Sequence, residues 1–369
     1  MNDLDRDRLL QALQLAADAI GVSDPNPRVG CVIGREDGTV LGVGSTQQAG
    51  GPHAEVMALR QAQAAGHSLQ GTTVWVTLEP CAHHGRTPPC CDALIAAGVA
   101  RVVLAIADPF AQVAGRGIER LRGHSIAVEL AAADIAAAAR EINIGFFSRH
   151  ERGRPWVRVK AAASLDGRTA LPNGNSRWIT GIAARTDGHA WRKRAGAVLT
   201  GSGTAVTDDP RLDVRLVPTT LQPLRVVVDS TLRLPPHARL LAPPGRVLVA
   251  TTADTDGPVA QALLAGGAEL WRSNGPQRHV HLPALLSELA RREVNEVHVE
   301  AGARLNTALF QLGLVDELLV YLAPMLLGPG VGIADGDVLA SIEDARRFAF
   351  IDSTLVGSDL RLRARPLDK

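Results

Sequence analysis

The sequence predicts an α/β protein with two domains, and three observations lead to this class. The length of 369 residues suggests two domains at roughly 150 residues each. In the first half, β-rich apolar runs alternate with helical patterns, which is typical of α/β units with parallel strands. A second alternating series follows a polar run at 148–155. We therefore expect domains at 1–150 and 151–369.

The first half opens with an amphipathic helix near residues 5–21, which should stop before the turn Asp24-Pro25-Asn26-Pro27. Strands at 28–34 and 39–44 are joined across Asp37-Gly38, a dipeptide typical of tight hairpins. The later elements alternate, with strands at 72–80, 100–108 and 125–130 and helices at 54–66, 91–98 and 131–141. The polar run at 148–155 breaks the pattern and predicts a linker.

The second half starts afresh. Strands are expected at 156–167, 223–230, 246–252 and 295–302, and the segment 197–206 is expected to be a strand that enters a glycine loop. Helices are expected at 179–196 and 304–313. Two loops, Gly201–Thr204 and Gly302–Arg304, follow strands, where α/β proteins bind ligands, and backbone N–H groups there can hold phosphate. Small residues also serve tight turns, so both interpretations stay open. Neither loop has the spacing of a Rossmann fingerprint, which disfavours that fold.

The most informative motif contains residue types that a hydrolytic zinc deaminase needs, in the order His53, Glu55, Cys81 and Cys90. One imidazole and two thiolates hold the metal and leave its fourth position open to water. Glu55 is then free to move protons. His53 and Glu55 should lie in the first turn of a helix. Cys90 should open another helix, whose dipole would lower the thiol pKa.

The loop between the two cysteines leaves alternatives open. Eight residues separate Cys81 from Cys90, whereas the common deaminase signature has two. The third ligand could instead be Cys91, His83 or His84, or the match could be accidental. Two prolines and a glycine in the segment favour a loop that returns to the metal. A structural zinc would normally use four protein ligands, and only three are well placed. For Cys31 and Cys91 we favour burial as small apolar side chains.

Composition favours a cytoplasmic enzyme with a small-molecule substrate. Four cysteines, three of them within residues 81–91, indicate metal chemistry in a reducing compartment rather than disulfides. The charged start MNDLDRDRLL does not resemble a signal peptide, and no apolar run approaches a membrane span. A net charge of +1 argues against a nucleic-acid substrate. We expect no nucleic-acid or membrane partner and a homo-oligomeric assembly.

Basic residues are grouped in the second half. Arg185, His189 and Arg192 share a predicted helix face, and Arg211 and Arg215 flank a turn. Their ordinary interpretation is a solvated surface. The functional alternative is a clamp for a phosphorylated substrate, for which the planar guanidinium group is suited.

Motifs in both halves resemble one family. PNPRVGCVI, HAEVMAL and TLEPCAHHGRTPPCCDALIAAGV are similar to the deaminase half of bifunctional riboflavin-biosynthesis enzymes. These enzymes join a diaminohydroxyphosphoribosylaminopyrimidine deaminase to a 5-amino-6-(5-phosphoribosylamino)uracil reductase. The reductase half is similar through KAAASLDGRTA, NSRWIT, GSGTAVTDDPRLDVR, VEAGARLNTAL and GLVDELLVYLAPMLLG. The resemblance covers nearly the whole chain, and in this family the long loop is normal and Cys90 matches the ligand.

The resemblance implies a fold and a reaction for each half. The first domain should be a three-layer, cytidine-deaminase-like fold, and the second should resemble dihydrofolate reductase. Zinc and Glu55 would remove the 2-amino group of the substrate 2,5-diamino-6-(5-phosphoribosylamino)pyrimidin-4(3H)-one. NADPH would then reduce the ribosyl group to ribityl, the choice of NADPH over NADH being family inference. One departure is Phe110-Ala111, where the family usually has Asn-Pro.

The resemblance also implies contact residues. Asn26 would orient the pyrimidine ring. The residues implied to face the cofactor are Ala162, Trp178, Thr204, Asp208, Ser230, Gly302, Ala303, Arg304, Leu305, Asn306, Thr307 and Ala308. Those implied to contact the reductase substrate are Ser176, Arg192, Leu212, Arg215 and Glu300. Lys160 and Asp208 are candidates for polar roles near the hydride-transfer site.

Two other functional classes fit parts of the sequence. A deaminase of nucleic acid or free nucleosides would keep the zinc motif but leave the second domain unexplained. A scaffold protein with a structural zinc would have no use for Glu55. Ammonia release and NADPH consumption, measured separately, discriminate among these classes.

Overall fold

The structure of the chain is a computed structural model that describes residues 1–85, 87–110, 114–242, 244–274, 278–336 and 339–367. The chain divides into two compact units, Met1–Gly153 and Arg154–Lys369. Within the described residues, no helix is both long and apolar enough to cross a membrane.

The first unit is built around a mixed sheet. Its strands are β1 (Gly30–Gly34), β2 (Val40–Ser45), β3 (Thr73–Val76), β4 (Arg101–Leu104) and β5 (Ala127–Leu130). Its helices are α1 (Asp3–Asp18), α2 (Ala54–Ala64), α3 (Cys90–Ala96), α4 (Arg116–Gly123), α5 (Ala133–Ile142) and α6 (Ile144–Arg152). The sheet order is β2-β1-β3-β4-β5. The hairpin of β1 and β2 is antiparallel, whereas β3, β4 and β5 run parallel, as the alternating pattern predicts.

Helices cover both faces of this sheet. Leu9 and Leu13 of α1 and Ile135 of α5 pack on one face, against Val32 and Trp75. On the other face, α2, α3 and α4 pack against the alternate strand residues, which include Cys31, Ile33, Val74 and Val76. Strand side chains alternate between the two faces, and both sets are apolar here. Helices must therefore bury both faces of the sheet. The result is the expected three-layer arrangement.

Two features of the first unit differ from the sequence prediction. Helix α4 is not predicted, because RGIERLRG is short and strongly polar. The polar run 148–155 does not begin a linker, since α6 continues to Arg152 and ends at Gly153 with φ of 66°. Phe146 and Phe147 are buried in the core, which holds α6 in place despite its charged carboxyl-terminal turn.

The second unit is built on a nine-stranded sheet. Its strands are β6 (Trp156–Ser164), β7 (Ala197–Gly201), β8 (Leu224–Val228), β9 (Val247–Thr251), β10 (Ala268–Arg272), β11 (Glu296–Val299), β12 (Glu317–Ala323), β13 (Phe348–Val356) and β14 (Asp359–Pro366). Its helices are α7 (Ile182–Arg194), α8 (Ser202–Asp208), α9 (Pro258–Ala265), α10 (Leu282–Arg291) and α11 (Ala303–Gln311). The order is β10-β9-β8-β7-β11-β6-β12-β14-β13.

Most of this sheet is parallel. The seven strands from β10 to β12 in spatial order run parallel, and β14 and β13 close one side as an antiparallel pair. The strand that begins at residue 197 is confirmed up to Gly201, but the predicted glycine loop after it is wrong, because α8 begins at Ser202. The predicted helix after the strand at 295–302 is confirmed as α11, whose N-cap is Gly302. Carboxyl ends of parallel strands share one edge, and the ligand-binding loops are expected there.

Candidate active sites

The first site joins three side chains from different elements. His53 is the N-cap of α2, Cys81 follows β3, and Cys90 is the first residue of α3. The Nδ1 atom of His53 lies 3.2 Å from the Sγ atom of Cys90 and 3.7 Å from that of Cys81. Tetrahedral zinc with one nitrogen and two sulfur ligands would separate ligand atoms by about 3.6 Å. The donor set and its spacing therefore fit zinc.

The structure separates these three residues from the alternatives. Within the described residues, the one group that could hold a metal consists of His53, Cys81 and Cys90. The thiol of Cys91 points elsewhere and donates to the carbonyl oxygen of Pro80 at 3.3 Å. Burial raises the pKa of Cys91 to about 12, which disfavours a thiolate. Cys91 and Cys31 are fully buried in the apolar core, as the sequence interpretation has it.

The backbone at the start of α3 contacts the sulfur atom of Cys81, whereas the sequence predicts an effect on Cys90. The backbone N–H of Cys90 donates to the Sγ atom of Cys81 at 3.3 Å. Hydrogen bonding from the Cys90 thiol, and then from His53, lowers the pKa of Cys81 to about 4. Sharing that proton raises the pKa of Cys90. The backbone amide at the helix start thus acts on Cys81, and a lowering of the Cys90 pKa by the helix dipole stays a prediction.

Thr87 orients the imidazole ring. Its Oγ1 atom lies 3.4 Å from the Nε2 atom of His53. A contact on Nε2 leaves Nδ1 facing the two sulfur atoms, as required of a metal-binding histidine. The sequence interpretation missed this role, although Thr87 lies inside the identifying loop CAHHGRTPPC. A hydroxyl beside the ligand-bearing Pro-Pro-Cys segment was the available signal.

Glu55 lies in the first turn of α2, beside the metal-binding group. The side chain is buried, with 4% of the residue exposed, and it contacts the Cys90 thiol. Burial raises the pKa of Glu55, because a carboxylate loses its water shell there. A raised pKa suits a group that must accept and then release a proton near neutral pH.

Asn26 and Phe110, the first residue of the departure from the family pattern, also belong to the first unit. Asn26 is half-buried in a turn, where its backbone N–H donates to Ser23 at 2.8 Å. Phe110 packs edge-on against His83, with ring centroids 5.9 Å apart, and against His150 at 4.8 Å. Ala111, the second residue of the departure, lies outside the described residues.

Glu79 anchors this loop through the backbone. Its buried carboxylate accepts N–H groups of Gly115 at 3.0 Å and Gly117 at 2.9 Å, and also those of Asp108 and Ile118. Glu79 thereby caps the start of α4, where a negative charge is favourable. The sequence interpretation gave Glu79 no role, although it lies in the quoted TLEP segment.

The second site is a cavity of about 1050 Å³ in the second unit. It opens where β7, β8 and β11 end, since Gly201, Val228 and Glu300 line it. The residues implied to contact cofactor that line the cavity are Ala162, Trp178, Thr204, Asp208, Gly302, Ala303, Arg304, Leu305 and Asn306. The lining also contains Lys160 and all five residues implied to contact the substrate, namely Ser176, Arg192, Leu212, Arg215 and Glu300.

Three of the implied cofactor residues are not among the described residues of this lining. The hydroxyl of Ser230 accepts the backbone N–H of Val280 at 3.2 Å. Thr307 donates to the carbonyl oxygens of Ala303 and Asp335, both at 2.9 Å. Ala308 packs against the apolar core. Their contact with a cofactor stays a prediction.

Carboxylates pair with the arginines of the cavity. Arg192 forms a two-pronged ion pair with Glu300, with one N–O distance of 2.9 Å, and also donates to the backbone of Asp213. The side chain of Asp213 pairs with both Arg211 and Arg215. Asp213 was missed from the sequence, although it separates the two arginines in RLDVR. The two-pronged pair fixes the direction of the Arg192 guanidinium group, and Asp213 holds the more exposed Arg215 at the cavity through one contact.

His189 does not act as a third cation here. It is buried, and its Nδ1 atom accepts the backbone N–H of Arg215 at 3.1 Å. Burial lowers the pKa of His189 to about 4, so its ring is neutral at neutral pH. Arg185 lies over the exposed ring of Trp178, with its guanidinium carbon 4.0 Å from the ring centroid. Two members of the predicted basic cluster therefore make contacts within the protein: His189 with the backbone of Arg215, and Arg185 with the ring of Trp178.

Comparison with known families matches both units. Residues 3–106 match the cytidine and deoxycytidylate deaminase zinc-binding region, and residues 155–362 match the RibD C-terminal domain. A riboflavin biosynthesis protein RibD from Escherichia coli (strain K12) is 42% identical, with 96% of this chain and 97% of the relative covered. The protein of the same name from Aquifex aeolicus (strain VF5) is 38% identical, with 98% of each chain covered.

Solved structures show the same similarity. Acinetobacter baumannii RibD is 40% identical over 99% of both chains, with a TM-score of 0.88. A Thermotoga maritima protein is 30% identical over 99% of both chains, with a TM-score of 0.87. The latter is described as a diaminohydroxyphosphoribosylaminopyrimidine deaminase/5-amino-6-(5-phosphoribosylamino)uracil reductase.

Proposed function

We propose, from the premise that the chain belongs to the RibD family of riboflavin biosynthesis, that two sites in the chain catalyse two reactions, one at each site. The chain is therefore a bifunctional enzyme, with a zinc-binding deaminase domain and an NADPH-type reductase domain. We assign the deaminase to 1–150 and the reductase to 151–369. The division of the compact units between Gly153 and Arg154 supports this assignment.

The proposed reactions follow each other on one small molecule. The first removes ammonia from 2,5-diamino-6-(5-phosphoribosylamino)pyrimidin-4(3H)-one, and the second reduces the ribosyl side chain of the product to ribityl. The activities named for the Thermotoga maritima protein support both substrates. The observation that carries the proposal is the group of His53, Cys81 and Cys90 beside the buried Glu55, in a chain that also holds a reductase cavity.

In the deaminase site, His53, Cys81 and Cys90 would hold zinc. When bound, zinc lowers the pKa of a water molecule at its open position and so supplies a nucleophile. Glu55 takes a proton at its carboxylate and delivers it to the nitrogen of the departing ammonia. Its burial keeps competing water away, and its raised pKa makes it a stronger proton acceptor. Asn26 would orient the ring of the substrate.

In the reductase site, the cavity residues would bind NADPH and the deaminated substrate together. NADPH supplies hydride to the ribosyl carbon. Arg192 and Arg215 would bind the phosphate of the substrate, for which planar guanidinium groups are suited. Gly302 opens α11, and backbone N–H groups at that helix start are suited to a phosphate of the cofactor.

A single assay tests the division of labour. The deaminase substrate is supplied with and without NADPH, and ammonia release and NADPH loss are followed separately. We expect ammonia without NADPH, and NADPH loss only after deamination. Glu55→Gln should lower deamination by about 10²- to 10⁴-fold because the proton carrier is lost. Reduction of supplied 5-amino-6-(5-phosphoribosylamino)uracil should be unchanged in this variant.

The control for Glu55→Gln is the zinc content, which should equal that of the unsubstituted enzyme because Glu55 is not a ligand. Unchanged deamination in Glu55→Gln would contradict the proposed role. Failure of both reactions in the unsubstituted enzyme would overturn the proposed function itself.

We also propose a cytoplasmic, homo-oligomeric enzyme. The four cysteines are free thiols, which supports a reducing compartment. Light scattering on the purified protein measures the assembly, and a monomeric mass would contradict the proposal.

A further inference from the structure

His298 lies at the centre of the reductase sheet, behind the cavity. It belongs to β11, between β7 and β6, and none of its surface is exposed. Side chains alternate along a strand, so His298 shares one face of β11 with Glu296 and Glu300. Glu300 lines the cavity, whereas Glu296 pairs with the buried Arg158. His298 therefore stands between a buried ion network and the reductase site.

The ring nitrogens of His298 lack ordinary partners. Within the part of the chain that the structure describes, neither Nδ1 nor Nε2 makes a hydrogen bond. The Nε2 atom does lie 3.4 Å from the Oε1 atom of Glu300, slightly beyond the usual bond length. A fully buried polar group without a partner is costly to the folded state. Glu300 is the group that can satisfy it, because a small movement of the carboxylate closes the gap.

The charges around the pair determine which atom carries the proton. Burial lowers the pKa of His298 and outweighs the opposing effect of Glu300, while Arg158 and Arg192 lower it further, so the imidazole is neutral at neutral pH. Burial alone would raise the pKa of Glu300, but Arg192, His298 and Lys160 hold it well below its usual range. A neutral ring with its proton on Nε2 can donate to this carboxylate.

We propose that His298 is a positioning residue of the reductase, which donates its Nε2–H group to Glu300 and fixes the direction of that carboxylate in the cavity. This inference rests on the proposed function, in which Glu300 contacts the reductase substrate. The held carboxylate keeps its two-pronged pair with Arg192, and Arg192 in turn donates to the backbone of Asp213. His298 thus acts through Glu300 on the proposed phosphate partner of the substrate.

The test compares His298→Leu, which removes the donor, with His298→Gln, which keeps an N–H group at a similar distance. Full-length enzyme is supplied with 5-amino-6-(5-phosphoribosylamino)uracil and NADPH. In His298→Leu we expect a rise of about tenfold in KM for the uracil substrate, since a hydrogen bond to a charged group is lost. The KM for NADPH should not change, and His298→Gln should restore most of the loss.

A pH profile distinguishes positioning from a structural role. Loss of a donor to the carboxylate should raise the pKa of Glu300, so the acidic limb of reductase kcat/KM should move to higher pH in His298→Leu. Other groups that face Glu300 are unchanged by the substitution, namely Arg192 and His189 of α7, Lys160 of β6 and Tyr321 of β12. A merely structural histidine would lower stability and kcat together without moving this limb.

The deaminase of the same molecules serves as an internal control. Ammonia release should be equal in all three proteins, and thermal unfolding should show whether the reductase unit stays folded. Reductase KM and pH profile in folded His298→Leu identical to those of the unsubstituted enzyme would overturn the inference. The inference would also be overturned if KM for the uracil substrate rose as much in His298→Gln as in His298→Leu. Absence of reduction in the unsubstituted enzyme would overturn the proposed function instead.

Discussion

At the scale of single residues, Phe110 shows how one aromatic ring shields another side chain. Phe110 and Phe146 both contact the ring of His150, at centroid distances of 4.8 and 4.5 Å. Burial and the neighbouring Arg149 lower the pKa of His150 to about 4. Phe110, which stands where the family usually has Asn, thus places an apolar ring between His150 and His83, a residue of the loop between Cys81 and Cys90.

Removal of this ring should be visible in the titration of His150. In Phe110→Ala, water reaches the imidazole, and we expect its pKa to rise from about 4 toward the ordinary value of about 6.5. NMR of the labelled histidine rings measures the change. His189 in the other unit should keep its pKa of about 4 and serves as the control. An unchanged pKa of His150 in Phe110→Ala would mean that Phe146 and the protein around it bury the imidazole ring.

Residues differ in how well their roles can be predicted from sequence. The ligand set was accessible, because His53, Cys81 and Cys90 belong to short motifs whose elements have strong local patterns. The partners of Glu79 could not be predicted, because Glu79 binds backbone groups that lie about 30 to 40 positions away along the chain. His298 in EVHVE looks like an ordinary strand residue until the fold places it in a buried polar setting.

At the scale of elements, Gly44 allows the first turn of α2 to lie close to the sheet. Gly44 of β2 lies against the first turn of α2, and a Cβ atom at this position would lie 2.3 Å from the carbonyl oxygen of Ala54. Ala54 is flanked by His53 and Glu55. The distance between β2 and α2 therefore governs the positions of His53, in the metal-binding group, and of Glu55, the proposed proton carrier.

Gly44→Ala should displace that turn. We expect overpacking to cost about 1–3 kcal/mol of the free energy of unfolding, with weaker zinc binding and slower ammonia release. Zinc titration and the deaminase assay measure this, while reduction of supplied uracil substrate should continue. Gly123→Ala at the end of α4 is the matched control, because no neighbouring atom lies within 4 Å of its added Cβ. Equal zinc affinity in the two variants would refute the argument.

Prediction of elements succeeded where apolar periodicity is strong. The hairpin and the parallel strands β3, β4 and β5 follow from local pattern and turn chemistry. Helices α4 and α6 were missed because α4 and the carboxyl-terminal part of α6 are polar. Tertiary contacts hold them, namely the Glu79 cap for α4 and the buried Phe146-Phe147 pair for α6. Helix α8 was hidden by its glycines, which suggested a loop.

At the scale of the whole molecule, the metal and the cavity belong to different compact units. All three metal-binding side chains lie in Met1–Gly153, and the described residues that line the cavity lie in Arg154–Lys369. The metal therefore has no ligand in the reductase unit among the described residues. Loss of the metal should affect one reaction alone.

Zinc removal tests this separation. A chelator should abolish ammonia release and leave NADPH oxidation with supplied 5-amino-6-(5-phosphoribosylamino)uracil unchanged, and added zinc should restore the first reaction. Cys90→Ala should behave like the chelated enzyme. The adjacent Cys91→Ala should keep its zinc, because the Cys91 thiol points to Pro80. Parallel loss of reduction on chelation would show that the reductase unit depends on the metal.

The Glu79 anchor has a consequence for how this protein can vary over evolution. The carboxylate recognises backbone N–H groups, which every residue except proline possesses, and it asks nothing of the side chains at Asp108 or Ile118. Two glycines are restricted: a Cβ atom at Gly117 would lie 2.1 Å from the carbonyl oxygen of Pro80, and Gly115 has a left-handed φ of 78°. Side chains of this loop can therefore drift while its attachment persists. Phe110 is an instance of such drift, a new contact acquired beside the metal loop without loss of the anchor that holds it.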